Sequence, residues 1–190
     1  MLRYPEFERD PAGPHMRRLM LLRHAKSDWS TPGMADRDRA LAPRGRAAAP
    51  LMGRYMQEQS LHPDHVIVSN AVRTRETWSL VRQALQQEAA VIFDEQIYEA
   101  SPGDIIAAIA TAPERAKTLL VVGHNPGLQA VAVTLGGAGD RDARERVRDQ
   151  FPTAALAVID LDIPDWAAIR PAGGRLVQFV TPRAIAGASD

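Results

Sequence analysis

The sequence predicts a three-layer α/β/α fold around a mainly parallel central sheet. Three observations predict it. Near-continuous apolar runs of strand length stand at Arg18–Arg23, His65–Ser69 and Thr118–Val122, the pattern of strands buried on both faces. Between them, apolar residues recur at helical spacing, as helices covering a sheet require. At 190 residues and 45% hydrophobic content, the chain can build one substantial core without disulfide or metal staples.

From the N-terminus, Met1 to His15 hold Pro5, Pro11 and Pro14 among charges, with no periodicity. Residues 1–16 are expected to form a flexible arm and residues 17–190 a single domain, with Met16 an alternative start. Arg18–Arg23 is the first strand. A polar loop follows through Pro32, Gly33 and Asp36–Arg39, and then Ala48, Leu51, Met52, Tyr55 and Met56 mark one helix face. His65–Ser69 is the second strand, and Trp78, Val81 and Leu85 stripe the next helix. Ala90–Phe93 is a third short strand. Ser101-Pro102-Gly103-Asp104 starts a helix, with Ser101 as N-cap, Pro102 at the first position and Asp104 reaching back to the cap. Ile105, Ile106 and Ile109 form its apolar face. Thr118–Val122 precedes a helix carrying Leu128, Val131 and Leu135. Ala154–Leu161 and Leu176–Val180 read as closing strands, with Pro171–Gly174 as the turn before the last. The charge-dense stretch Asp140–Asp149 offers the pairs Asp140–Arg144 and Asp142–Arg146 one helical turn apart. It reads as a solvated helix or loop, or alternatively as a lid or partner-recognition insertion.

Composition narrows the function. Lys plus Arg is 23 and Asp plus Glu is 23, a balance of zero, whereas nucleic-acid binders carry a basic excess or face. There is no cysteine, which excludes a thiolate nucleophile and every Cys-ligated metal centre. Runs such as Leu19–Leu22 and Leu119–Val122 fall far short of the roughly 18 residues of a membrane span. No secretory apolar segment stands near the N-terminus, and a cytoplasmic domain without nucleic-acid or membrane partners is expected. Only Lys26 and Lys117 among the basic residues are lysines. That reads either as base-composition bias or as a use of rigid guanidinium forks for phosphate or carboxylate.

In open α/β sheets, ligands bind beyond the carboxyl ends of the strands. Arg23-His24-Ala25-Lys26-Ser27 follows the first strand, Ser69-Asn70-Ala71-Val72-Arg73 the second, and Gly123-His124-Asn125-Pro126-Gly127 the fourth. These segments meet only if those three strands are neighbours. Each alone has a plain structural reading: a surface Arg-His pair, an exposed arginine in a first helical turn, and Asn125 as N-cap with Pro126 at the first helical position. Together they fit phosphoryl transfer, where catalysis is mostly positioning and electrostatic clamping. Arg23 and Arg73 can fork onto non-bridging oxygens. A helix start after His124 adds backbone N–H groups. One neutral imidazole can attack phosphorus, and the second, as a cation, can neutralise developing charge. No metal or cofactor is required by such a scheme, and neither a His-Glu-x-x-His nor a phosphate-loop motif is present.

These residues resemble a known family. Leu21-Leu22-Arg23-His24-Ala25-Lys26-Ser27, Ser69-x-x-x-Arg73-x-x-x-Thr77 and Val122-Gly123-His124-Asn125-Pro126 are similar to the histidine phosphatase superfamily, which has the phosphoglycerate mutase-like fold. The branch most resembled is that of SixA-type phosphohistidine phosphatases. Asp38-Arg39-x-Leu41-x-x-Arg44-Gly45, Tyr98-Glu99-Ala100-Ser101 and Phe151-Pro152-Thr153-Ala154 support it. The resemblance runs from about Arg18 to about Asp162. It implies that His24 is the nucleophile, that Arg23, His24, Arg73 and His124 bind phosphate, and that His124 is the second pocket histidine. Ala25 replaces the usual glycine, and the long insertions of the mutases are missing. Glu99 falls where larger members carry a proton-donating carboxylate, and it reads equally as a surface acid. Arg75 is expected to be exposed. His15, His62 and His65 read as surface or strand-edge histidines, and Lys26 and Ser27 as conformational members of the loop after His24.

The resemblance implies a metal-independent phosphatase with a phosphohistidine intermediate. Its implied substrate is protein phosphohistidine, as on a histidine phosphotransfer domain. A small phosphoester is the alternative substrate, and a catalytically idle phosphate-binding module is the alternative role.

Overall fold

A computed structural model describes residues 15–85 and 88–187. Most of the expected arm, residues 1–14, lies outside the described residues. Met16 does not belong to an arm: it pairs with Asp162, so the first strand begins ahead of the expected Arg18.

The strands are β1 (Met16–Arg23), β2 (His65–Ser69), β3 (Ala90–Asp94), β4 (Thr118–Gly123), β5 (Ala138–Gly139), β6 (Leu156–Asp162) and β7 (Gly174–Val180). The helices are α1 (Pro43–Glu58), α2 (Val72–Leu85), α3 (Pro102–Ala110), α4 (Gly127–Leu135), α5 (Arg141–Asp149) and α6 (Pro182–Ala186). One sheet runs in the order β3-β2-β4-β1-β6-β7-β5. The β3-β2, β2-β4, β4-β1 and β5-β7 pairs are parallel. The β1-β6 and β6-β7 pairs are antiparallel.

The central strands explain the three layers. Successive side chains of a strand point to opposite faces. Leu19 and Leu21 of β1 join one core with Ile105 and Ile109 of α3, Leu128, Val131 and Leu135 of α4, and Val147 of α5. Met20 and Leu22 join the other, with Met52, Tyr55 and Met56 of α1 and Trp78 and Val81 of α2. Both faces are covered, which is why these runs are apolar without alternation. β3 sits at the sheet edge, and its Ile92 and Phe93 are half exposed. Among the described residues, no helix is long and apolar enough to cross a membrane.

Local chemistry accounts for the helix ends nearest the candidate site. The Ser101 hydroxyl accepts from the Asp104 N–H while the Asp104 carboxylate accepts from the Ser101 N–H, a cap worth about 1 kcal/mol. Asn125 does not cap α4. Its amide donates to Gln129 and to the Phe151 carbonyl, and the cap position belongs to Pro126, whose backbone is already helical. In the charged stretch, Asp140 caps α5 by accepting from the Ala143 N–H, and the pair that forms is Arg141–Glu145 rather than the two expected ones. Ala143 and Val147 turn inward, so α5 is a helix packed by a two-residue stripe. Arg75 is exposed and His62 partly so, but His65 is buried at 5% exposure. β2 lies between β3 and β4, so its first residue is covered from both sides.

Candidate active site

The neighbouring order β2-β4-β1 meets the condition on which convergence rested. The carboxyl ends of these parallel strands lie side by side, and the His24 N–H donates to the Gly123 carbonyl at 3.0 Å. The rings of His24 and His124 lie 5.2 Å apart between centroids. His24, Arg73 and His124 are 7%, 4% and 5% exposed, so neither the first-turn arginine nor the histidines are surface groups.

The resembling motifs each hold part of this arrangement. The His24 Nδ1 faces the Ala25 carbonyl at 2.7 Å; the carbonyl can only accept, so Nδ1 carries the hydrogen and Nε2 keeps its lone pair. Thr77, one turn beyond Arg73, accepts from the Ala25 N–H at 3.0 Å and donates to the Arg73 carbonyl at 2.7 Å. It ties the His24 loop to α2. A Cβ on Gly45 would stand 2.1 Å from the Lys26 carbonyl oxygen, so only glycine lets α1 lie against this loop. The Leu41 N–H donates to the Glu76 carboxylate at 2.6 Å, and Ser27 bridges to Leu41. Arg23 Nη1 and the Asn125 amide both donate to the Phe151 carbonyl, at 2.8 and 3.0 Å. Ala154 donates its N–H to the Arg23 and His24 carbonyls. The His124 Nε2 lies 2.7 Å from the Ser69 hydroxyl.

Asp36, Arg39 and Tyr98 complete the site, although nothing local in the sequence assigns them to it. The Asp36 carboxylate accepts from Arg73 at 2.7 Å, Arg39 at 2.6 Å and the Tyr98 hydroxyl at 2.7 Å. The Asp36 carbonyl takes Arg73 Nη1 at 2.6 Å. Arg39 lies over the exposed Trp29 ring, 3.3 Å from its centroid. Tyr98 meets His124 edge-on at 5.3 Å. The signals that could have found them are Asp38-Arg39 and Tyr98 within the supporting motifs, and an aspartate in a polar loop beside them. Glu99 is exposed, with no ion pair or side-chain hydrogen bond among the described residues. Lys26 is exposed too.

Five nitrogens of the site stand out. Arg23 Nε, Arg39 Nε and Nη1, Arg73 Nε and His124 Nδ1 are buried with no hydrogen-bond partner among the described residues, although buried polar groups are nearly always paired. The Nη1/Nη2 end of Arg73 is taken by Asp36, which leaves the Nε edge of its guanidinium for something else. Among the described residues, no group of three or more His, Asp or Glu side chains is placed to hold a metal.

Burial pushes the His24 pKa down to about 3, the Ala25 carbonyl partly opposing and His124, Arg73 and Arg23 adding to it. Burial also lowers His124 to about 4, with Arg73 and Arg23 acting in the same sense and Asp36 against. His124 is therefore neutral in the free pocket at pH 7. Burial alone would raise the Asp36 carboxyl, but Tyr98, Arg73 and Arg39 outweigh it and hold the group below its ordinary value.

The histidines have a consequence for stability. In the unfolded chain they titrate near about 6.5. As pH falls below that, the unfolded chain binds protons that the native pocket refuses, so stability is lost until the folded values of about 4 and about 3 are passed. The Tm is expected to fall between about pH 6.5 and 4, and His24→Asn to flatten part of that fall. Thermal unfolding of both proteins over a pH series checks it. An unchanged slope in the variant would mean that His24 is not held neutral.

Comparison with known proteins gives three findings. The model of the histidine phosphatase superfamily (branch 1) matches residues 19–151. An uncharacterized Mycobacterium tuberculosis protein is 38% identical over 164 residues, covering 85% of this chain and all of the relative. Two solved structures, each provisionally described as phosphohistidine phosphatase SixA, superpose closely. The Nakamurella multipartitia chain has a TM-score of 0.77 at 31% identity, covering 91% of this chain and 99% of its own. The Agrobacterium tumefaciens chain has a TM-score of 0.73 at 28% identity, covering 87% and 98%.

Proposed function

The chain belongs to the histidine phosphatase superfamily, and on that premise we propose that it removes phosphate from protein phosphohistidine through a phosphohistidine intermediate of its own. The observation that carries the reading is the set of buried, unpartnered nitrogens on Arg23, Arg39, Arg73 and His124 around a neutral His24. Such a cluster of cationic and imidazole nitrogens in one pocket suits an oxyanion that supplies several acceptors at once.

In the proposed reaction, the His24 Nε2 lone pair attacks phosphorus while the bond from phosphorus to the substrate's imidazole nitrogen breaks. The substrate ring, protonated on its other nitrogen, takes the electron pair of the broken bond and leaves as neutral imidazole. Water next attacks phosphorus, the bond to Nε2 breaks, and inorganic phosphate leaves with His24 restored. Arg23 and Arg73 bind the non-bridging oxygens, and His124 donates to one of them. No step calls for a metal ion.

The carboxylates favour this substrate over a phosphoester. An alkoxide leaving group needs an acid, whereas an imidazole, whose conjugate acid has a pKa of about 6.5, needs much less help. Asp36 is held ionised by its partners, and Glu99 stands exposed. The reading places the protein in the cytoplasm, acting on a histidine phosphotransfer domain of a signalling relay. A chain without cysteine needs no oxidising compartment.

The test pairs a phosphorylated histidine phosphotransfer domain with a panel of alkyl phosphoesters. Phosphate release from the former, with an acid-labile phosphoenzyme, is expected; no such phosphoenzyme from any donor would sink the enzyme reading in favour of an idle binding module. Glu99→Gln is expected to change kcat/KM by less than about tenfold on phosphohistidine and on phosphoesters alike; a loss of roughly 10²–10⁴-fold confined to phosphoesters would make Glu99 a proton donor and favour the phosphoester reading. Equal losses on both would remove Glu99 from proton donation.

A further inference from the structure

We propose that Ser69 is a positioning residue that fixes the tautomer of His124, presenting its Nδ1–H to the phosphoryl group as a neutral donor. The Ser69 side chain is fully buried at the carboxyl end of β2, 2.7 Å from His124 Nε2. No other partner of its hydroxyl stands among the described residues. His124 Nδ1 is buried and without a partner.

Counting hydrogens separates the two arrangements. A neutral imidazole carries one N–H and one lone pair, and a hydroxyl carries one hydrogen. If Nε2–H donated to Ser69, the serine hydrogen would be sealed in the protein without an acceptor. The Nδ1 lone pair would then repel an entering phosphoryl oxygen. If Ser69 donates to Nε2, the serine hydrogen is satisfied and the one unpaired donor is Nδ1–H, in the pocket where an oxyanion accepts it. Each arrangement leaves one buried donor unpaired in the free protein, at about 1–3 kcal/mol; the second is favoured because a bound oxyanion can take up Nδ1–H, whereas it cannot reach the sealed serine hydrogen.

The charged and titratable groups that surround His124 are His24, Arg23, Arg73, Asp36 and Tyr98. Two of them are guanidiniums that disfavour a second proton on the ring. A donor that needs no protonation suits such a pocket: it engages the oxyanion at pH 7 without first acquiring a proton against those cations. The spacing Ser69-x-x-x-Arg73 then has a reason at each end. The serine orients one phosphate donor and the arginine supplies another, from the strand end and the first helical turn of one β2-α2 unit.

The inference rests on the phosphoryl reading of the pocket, so its test includes a readout that needs no substrate. Nitrogen-15 NMR of the free protein at pH 7 should show His124 protonated on Nδ1 and bare on Nε2. Ser69→Ala should lose that preference and weaken inorganic phosphate binding by about 10- to 100-fold, the loss expected for one hydrogen bond to a charged group. Ser69→Thr, which keeps the hydroxyl, should restore both. A wild-type His124 protonated on Nε2 overturns the proposal, even if Ser69→Ala does not fold. So does a folded Ser69→Ala that keeps the Nδ1–H tautomer and its phosphate affinity. A wild-type protein that binds no phosphate yet carries Nδ1–H refutes the phosphatase reading, while the Ser69→Ala spectrum still decides what sets the tautomer.

Discussion

His24→Ala is expected to lower kcat/KM by at least about 10⁴-fold on any substrate the protein turns over, and to remove phosphoenzyme labelling with it. The size follows from what the residue does. Its Nδ1 is committed to the Ala25 carbonyl at 2.7 Å, and its low pKa keeps Nε2 a free base at pH 7. Alanine leaves the oxyanion donors in place but nothing on the rim to form the covalent intermediate. His124, the nearest imidazole, has its Nε2 engaged by Ser69. Rapid-quench labelling with a phosphohistidine donor, alongside steady-state turnover, checks the result. Labelling that persists in His24→Ala and vanishes in His124→Ala would reverse the two roles.

Arg73→Lys is expected to lower kcat/KM by about 10²–10³-fold, the usual cost of removing one preorganised donor from an oxyanion site. An arginine has two usable edges and both matter here. One end binds the Asp36 carboxylate at 2.7 Å and its carbonyl at 2.6 Å, while the Nε edge is buried and unpaired. An ammonium can satisfy Asp36 or the phosphoryl group, but it cannot hold one rigidly while presenting a second donor to the other. The loss should fall on phosphate affinity as well as on kcat, so calorimetry with inorganic phosphate and steady-state kinetics should agree. A variant within threefold of wild type on both would show that Arg73 serves Asp36 and the fold alone.

Much of this site was legible from residue order. His24, Arg73 and His124 each follow an apolar strand, and strand ends face ligands in open α/β sheets whatever else the fold does. Ser101 and Asp104 announced their cap because a capping box is completed within four residues. Asn125 misled because its amide is drawn off by the Phe151 carbonyl, 26 residues away. His65 misled because β2 is flanked on both sides, with His65 paired to Ala90 of β3 and Leu119 of β4.

The sequence by itself determined the layered fold, the strands that end at the pocket, and the residue types able to clamp and attack a phosphoryl group. Those are properties of short windows, set by periodicity and by the chemistry of single side chains. Tertiary structure decided that β2, β4 and β1 are neighbours, and it recruited Asp36 and Tyr98, whose hydroxyl and carboxylate meet across 62 residues of chain. It also decided that both histidines are neutral. A side chain's pKa depends on which groups surround it and how far water is excluded. Neither quantity exists until distant segments have packed together.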